Sequence, residues 1–185
     1  SFELGHATMH TTGQGFAMAF QAGGPHAQDR GLEAVATAWL ATSRVPADAL
    51  WHKPQGKHDP LVMSKRYHIV PKGVALVVAC STFPTWNTYP GLFASLVTGN
   101  PVIVKPHSQA VLPVAITVQV CQQVLAESGF DPKLVTMAAE GEVVGIAQEL
   151  ATHKDVRLID YTGGNGFGDW LSANATQAQL YKEQA

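Results

Sequence analysis

The sequence predicts an α/β fold: a parallel sheet with flanking helices, preceded by a helical N-terminal segment. Three observations predict it. Runs such as Val74–Ala79 are short and apolar throughout, as strands buried on both faces are. From Gly73 onward such runs alternate with helical patterns. Gly- and Pro-rich turns separate the two. Strands alternating with helices argue a doubly wound sheet of the Rossmann type.

Taken in order, residues 1–50 read as mostly helical. Met9, Ala17, Phe20, Leu32, Val35, Ala36 and Leu40 supply apolar positions, and Gly23-Gly24-Pro25 marks a break. Pro54, Gly56, Pro60 and Pro71 then punctuate Leu61–Met63 and Tyr67–Val70, which suggests a connecting segment with one or two short edge strands. Strand 74–79 is followed by a short helix near 88–97, and strand 102–105 by a longer helix near 111–127. In that helix Val114, Val118, Cys121 and Leu125 share one apolar face. Strand 134–138 leads to helix 142–151, and strand 156–161 to a Gly-rich turn and helix 168–179. The chain thus divides into residues 1–72, helical with edge strands, and residues 73–185, a dinucleotide-binding region, packed as one compact domain.

Composition narrows the function. A chain of 185 residues buries roughly 70% of the surface its unfolded form exposes. A net charge of −2 offers no basic face for nucleic acid. No apolar run approaches the roughly 18 residues of a membrane span. Two cysteines, Cys80 and Cys121, are too few for a disulfide framework and point to a reducing, cytoplasmic compartment. The opening Ser1–His6 lacks a signal-peptide layout, and with no starting Met the chain is expected to be part of a longer protein. His6 and His10 would share a helical face, but no Glu follows His6 and no further ligand is at hand, so no metal site is expected.

Candidate chemistry sits at predicted strand ends, where open α/β sheets bind ligands. Trp86 and Asn87 follow the first strand of the sheet, and Asn87 can donate its amide to a carbonyl oxygen that becomes an oxyanion. Lys105 closes the second strand, where an ammonium can bond ribose hydroxyls or a phosphate. The turn Asp160–Gly168 follows a strand and opens a helix, a setting that favours an anion. Its glycines alternate and do not match G-x-G-x-x-G, so a tight turn without a ligand is an equal reading.

In this order the segments resemble the aldehyde dehydrogenase superfamily. Pro84-Thr-Trp-Asn87 is similar to its Pro-Trp-Asn signature. Leu96–Asn100 through Val104–Pro106 resembles its Ala-Thr-Gly-Asn…Val-Lys-Pro segment, and Asp160–Gly168 its Phe-Thr-Gly-Ser-x-x-Gly turn. The resemblance covers essentially the whole chain. Gly5–His10 and Cys80–Asn87 look most like the branch of the family that serves phenylacetic acid degradation.

The resemblance implies roles residue by residue. Asn87 helps form an oxyanion hole, Trp86 lies beside the nicotinamide-side loop, and Lys105 bonds the adenosine ribose. Gly163, Gly164 and Gly168 meet the pyrophosphate through backbone amides, Gly164 standing where the family usually has serine. Glu183 falls near the general-base glutamate. Many NAD-using relatives carry a glutamate three residues beyond the ribose lysine; here the residue is Ser108. A carboxylate there would repel a 2′-phosphate, whereas a neutral hydroxyl with His107 and Lys105 nearby accommodates one. NADP is therefore expected over NAD, while a helix cap is an equal reading of Ser108.

The family's nucleophilic cysteine has no counterpart here. Cys80 ends a strand and Cys121 lies on an apolar helical face, and neither shows the electropositive setting a thiolate needs. The chain alone is expected to be inactive. By resemblance, the complete protein would be a homo-oligomer that oxidises a small-molecule aldehyde, a ring-opened semialdehyde carried on coenzyme A. The alternative is a non-catalytic nucleotide-binding or structural module.

Overall fold

Three helices lead the chain: α1 (Phe2–Thr12), α2 (Phe16–Gly23) and α3 (Pro25–Ser43). The computed structural model describes residues 1–141 and 145–184. Gly13 ends α1 with φ 73°, the left-handed cap that glycine adopts without a Cβ clash, and its N–H reaches Met9 O at 3.0 Å. Pro25 opens α3, where its missing N–H costs nothing.

The connecting segment is a hairpin rather than short edge strands. Strands β1 (Asp48–Gln55) and β2 (His58–Arg66) pair antiparallel in a sheet of their own. The register is irregular between Lys53 and Gln55, so Pro54 sits where the ladder is broken and its missing donor is tolerated. Tyr67–Val70 forms no strand; the Tyr67 N–H only reaches back to Ala47 O at 2.9 Å.

The second region is a five-stranded parallel sheet in the order β5-β4-β3-β6-β7. Its strands are β3 (Val74–Val78), β4 (Val102–Lys105), β5 (Val135–Met137), β6 (Val156–Gly163) and β7 (Gln179–Gln184). The chain winds outward from β3 to β5, then returns to the other side of β3 and winds outward again. The switch point therefore lies between the carboxyl ends of β3 and β6, where doubly wound sheets bind their ligands.

Strands β3 and β4 are covered on both faces, which is why they read as unbroken apolar runs. Ala75, Val77 and Ala79 pack with Val102, Val104 and Val135 against Leu92 of α4 (Pro84–Val97) and Val114 and Val118 of α5 (Val111–Glu127). Leu76 and Val78 point the other way, to Ala151 of α6 (Ala147–Thr152) and Leu171 of α7 (Asn165–Asn174). Leu76, Leu92 and Leu171 are fully buried, each contributing about 1.5–3 kcal/mol of transfer free energy. The predicted α5 face is present, with Cys121 and Leu125 packed against the core. Helix α3 forms an outer layer on α4, close enough that a Cβ on Gly31 would lie 2.8 Å from the Phe93 ring.

Three boundaries differ from expectation in ways that matter for the site. Helix α4 starts at Pro84, not near residue 88, so Trp86 and Asn87 stand on its first turn rather than in a loop. Helix α7 ends at Asn174, and residues 179–184, expected partly as helix and otherwise unassigned, form the edge strand β7. The expected helix 142–151 starts on residues that lie outside those described, and α6 covers Ala147–Thr152.

Candidate nucleotide and catalytic site

Asn87 and Glu183 meet. The Asn87 amide nitrogen donates to Glu183 Oε2 at 3.0 Å, although the two residues are 96 positions apart. Helix α4 presents Asn87 just after β3, and β7 presents Glu183 near its carboxyl end. Glu183 pairs in register with Thr162, so both side chains share one sheet face. That face carries a cleft of about 210 Å³ lined by Trp86, Asn87, Asp160, Thr162, Lys182 and Glu183, with Arg30 at its side. The Trp86 indole is half-buried, 5.7 Å from the His26 ring and 6.3 Å from Phe83. On the far side of the Asn87 amide, the Cys80 thiol approaches Oδ1 at 3.6 Å.

Asp160 is the residue that sequence reasoning passed over. It sits mid-strand on β6, two positions before Thr162 and on the same face. A Cβ on Gly91 would lie 2.7 Å from its carboxylate, so α4 passes directly over it. Burial, with the neighbouring Glu183 charge adding to it, pushes the Asp160 pKa from 3.8 up to about 6.

A second pair stands at the carboxyl ends of β4 and β5. Lys105 Nζ lies 2.7 Å from Glu140 Oε2, with side chains 10% and 18% exposed. The other Glu140 oxygen accepts from the N–H groups of Ile146 and Ala147 at 3.0 and 3.1 Å. Burial works to raise the Glu140 pKa, but Lys105 and those two N–H groups outweigh it and hold the carboxyl below the usual range. Glu140 was not foreseen; only sheet order brings it to Lys105. Lys105, one of the residues on which the expectation of NADP leaned, is thus paired with a carboxylate rather than left as a free ammonium. His107 is half-buried, its Nδ1 accepting from the Gln109 N–H at 3.2 Å, and Ser108 is exposed. Ser108 does not cap α5: the N-cap is Ala110, with no side-chain cap bond.

The three glycines play different parts. Gly164 is the N-cap of α7, exposed, with nothing within 4 Å of a Cβ built on it. No side chain caps this helix, so first-turn N–H groups face open space next to the switch point, a cradle that suits a pyrophosphate. Gly163 ends β6, and a Cβ there would lie 2.8 Å from the Tyr161 ring. Gly168 was expected at the pyrophosphate, but it is buried inside α7, its N–H bonded to Gly164 O and its Cα side packed on Gln184. It serves helix–strand packing. Cys121 is half-buried, and burial raises its thiol pKa. Among the described residues no group of three His, Cys, Asp or Glu could hold a metal, and no helix is long and apolar enough to cross a membrane.

The profile of the aldehyde dehydrogenase family matches residues 21–184. The chain belongs to the aldehyde dehydrogenase family. A crystal structure of an NAD-dependent aldehyde dehydrogenase from Burkholderia multivorans superposes with a TM-score of 0.95 at 60% identity, covering 100% of this chain and 33% of that one. An NADP complex of the glyceraldehyde-3-phosphate dehydrogenase GapN from Methanocaldococcus jannaschii superposes with a TM-score of 0.75 at 16% identity, covering 100% and 37%, and so shares the fold. A Staphylococcus aureus protein that carries the provisional name aldehyde dehydrogenase is 28% identical over 105 residues, 57% of this chain and 21% of its own length. This aldehyde dehydrogenase family chain therefore spans about a third of its solved relative and a fifth of its curated one.

Proposed function

We propose that this chain is the cofactor-binding part of an NAD(P)-dependent aldehyde dehydrogenase and carries two of its catalytic groups. The observation that carries the reading is the Asn87–Glu183 hydrogen bond beside the switch point. A bound nicotinamide cofactor would accept hydride from the substrate. The first-turn N–H groups after Gly164 and the end of β4 with Lys105 would hold its pyrophosphate and ribose, while Trp86 lines the same cleft as Asn87. An amide NH₂ has two donors. One is engaged by Glu183, and the second remains for a substrate oxygen as negative charge develops on it. Glu183 is exposed and bonded to a neutral amide, which leaves it able to take a proton from water as general base. The nucleophile is a thiolate that neither Cys121 nor Cys80 supplies in this reading.

The test is kinetic. Removing one oxyanion donor costs about 10²–10³ in kcat, so Asn87→Ala in the full-length enzyme should lose that much turnover while cofactor affinity changes little. Unchanged kcat would remove Asn87 from the chemistry. A rival reading, nucleotide binding without turnover, draws on the structural setting of Cys121. It predicts cofactor binding by calorimetry with no aldehyde oxidation by the full-length protein.

The motif wording of Gly5–His10 and Cys80–Asn87 supports a narrower assignment, to the phenylacetic acid degradation (PaaN-type) branch. The substrate would then be a ring-opened semialdehyde, carried on coenzyme A, acted on in the cytoplasm by a homo-oligomer. Comparing kcat/KM for such a thioester-linked semialdehyde with that for simple aliphatic aldehydes tests this, and no preference would count against it.

A further inference from the structure

The nucleotide reading leaves one strong charge pair unexplained. Glu140 comes from the segment after β5 and reaches sideways to the carboxyl end of the neighbouring strand, where Lys105 stands. Its carboxylate is held by three donors: Lys105 Nζ on Oε2, and the N–H groups of Ile146 and Ala147 on Oε1. This fixes both its position and its ionised state. Oε2 keeps one lone-pair direction, and Lys105 keeps two N–H donors. Donor and acceptor thus stand side by side at a ligand-facing strand end, still partly open to solvent.

Such a pair suits a vicinal diol. The ammonium can donate to one ribose hydroxyl while the carboxylate accepts from the other. In dinucleotide sites an acidic side chain that accepts from the ribose 2′-hydroxyl is the usual device for choosing NAD. No such residue is on β4 or just after it, where Lys105, His107 and Ser108 stand. We infer that Glu140, delivered from the adjacent strand, is the residue that reads the ribose 2′-hydroxyl and turns this site toward NAD⁺ and against NADP⁺. A 2′-phosphate placed beside Lys105 would meet the fixed Glu140 carboxylate, and the attraction of the ammonium would be cancelled before it arrived. The inference rests on the nucleotide reading of the site and goes against the preference that Ser108 alone suggests.

Calorimetric binding of NAD⁺ and NADP⁺ to the full-length protein tests it without turnover. The wild type should bind NAD⁺ more tightly. Glu140→Gln keeps the size and an acceptor for the Ile146 and Ala147 N–H groups but frees the Lys105 charge. The ratio of the two dissociation constants should then move toward NADP⁺ by at least about tenfold, the scale expected for one close charge contact. An unchanged ratio, whether or not thermal stability falls, would reduce Glu140 to a loop-positioning role and overturn the inference. A wild type that prefers NADP⁺ would overturn it too, and that arm stands even where the variant does not fold. A wild type that binds neither cofactor would instead bring down the nucleotide reading and this inference with it.

Discussion

Two largely buried carboxylates, one in each half of the sheet, are treated in opposite ways. Glu140, beside β4 and β5, is surrounded by donors and stays charged at an acidity where an ordinary glutamate would not. Asp160, on β6, lies under Gly91 with a second carboxylate nearby, and its pKa rises to about 6. The difference lies in both burial and neighbours: burial is the larger cause at Asp160, whereas at Glu140 the surrounding donors outweigh it. In the first half a charge is compensated and can act as a fixed electrostatic element. In the second half a charge is tolerated at a cost, next to the Asn87–Glu183 pair.

Their linkage to stability has opposite sign. With its pKa lowered, Glu140 binds fewer protons in the folded state than unfolded. It contributes stability above the usual carboxylate pKa that is lost as pH falls. Asp160 binds more protons folded than unfolded between 3.8 and about 6, so stability falls as pH rises through that window.

The largest expected effect comes from making Glu140 resemble Asp160. Lys105→Met leaves the carboxylate with only the Ile146 and Ala147 N–H donors and should destabilise the protein by about 3 kcal/mol at neutral pH. At acid pH, where the carboxylate takes up a proton, the loss should shrink. Thermal melts at the two pH values read this, and an equal loss at both would assign the cost to packing. The reverse experiment relieves Asp160. Asp160→Asn should stabilise by about 2 kcal/mol above pH 6 and by nothing near about pH 4; a pH-independent gain would mean the carboxylate charge is not what the fold pays against. Smaller still, Glu183→Gln should lower the Asp160 pKa only part of the way toward 3.8, because burial is the larger cause. Carboxyl NMR titration measures it, and a full return would place the cause in Glu183. Smallest is Ser108→Glu. On this exposed position a new carboxylate is screened by salt, and the NAD⁺-to-NADP⁺ affinity ratio should rise only about threefold. A larger rise than that seen on removing Glu140 would shift the ribose-reading role to position 108.

The legible parts of the fold were those whose residues have one environment. Val74–Val78 and Val102–Lys105 are buried on both faces, so composition alone marks them. Strand β7 is Gln-Leu-Tyr-Lys-Glu-Gln at a sheet edge, mostly exposed, and carries no apolar signal that separates it from the preceding helix. The hairpin was hidden by Pro54 and Pro60, which read as breaks although one sits at a register irregularity. At α4 the signal was present and misjudged: Pro84 is a favoured first-turn residue, not the end of a loop. At the candidate site, the motifs pointed in advance to Asn87, Lys105 and Gly164. Glu140 and Asp160 were not, because their meaning lies in neighbours brought by strand order rather than by spacing along the chain.

Gly91 and Asp160 also constrain how this chain can drift. A methyl on residue 91 would fall within 2.8 Å of three atoms of the Asp160 side chain, and that side chain is too short to swing clear. The two positions therefore behave as one heritable unit. A relative that acquires Ala at 91 can keep this packing only after 160 has shrunk, and a relative that keeps an acid at 160 is held to glycine at 91.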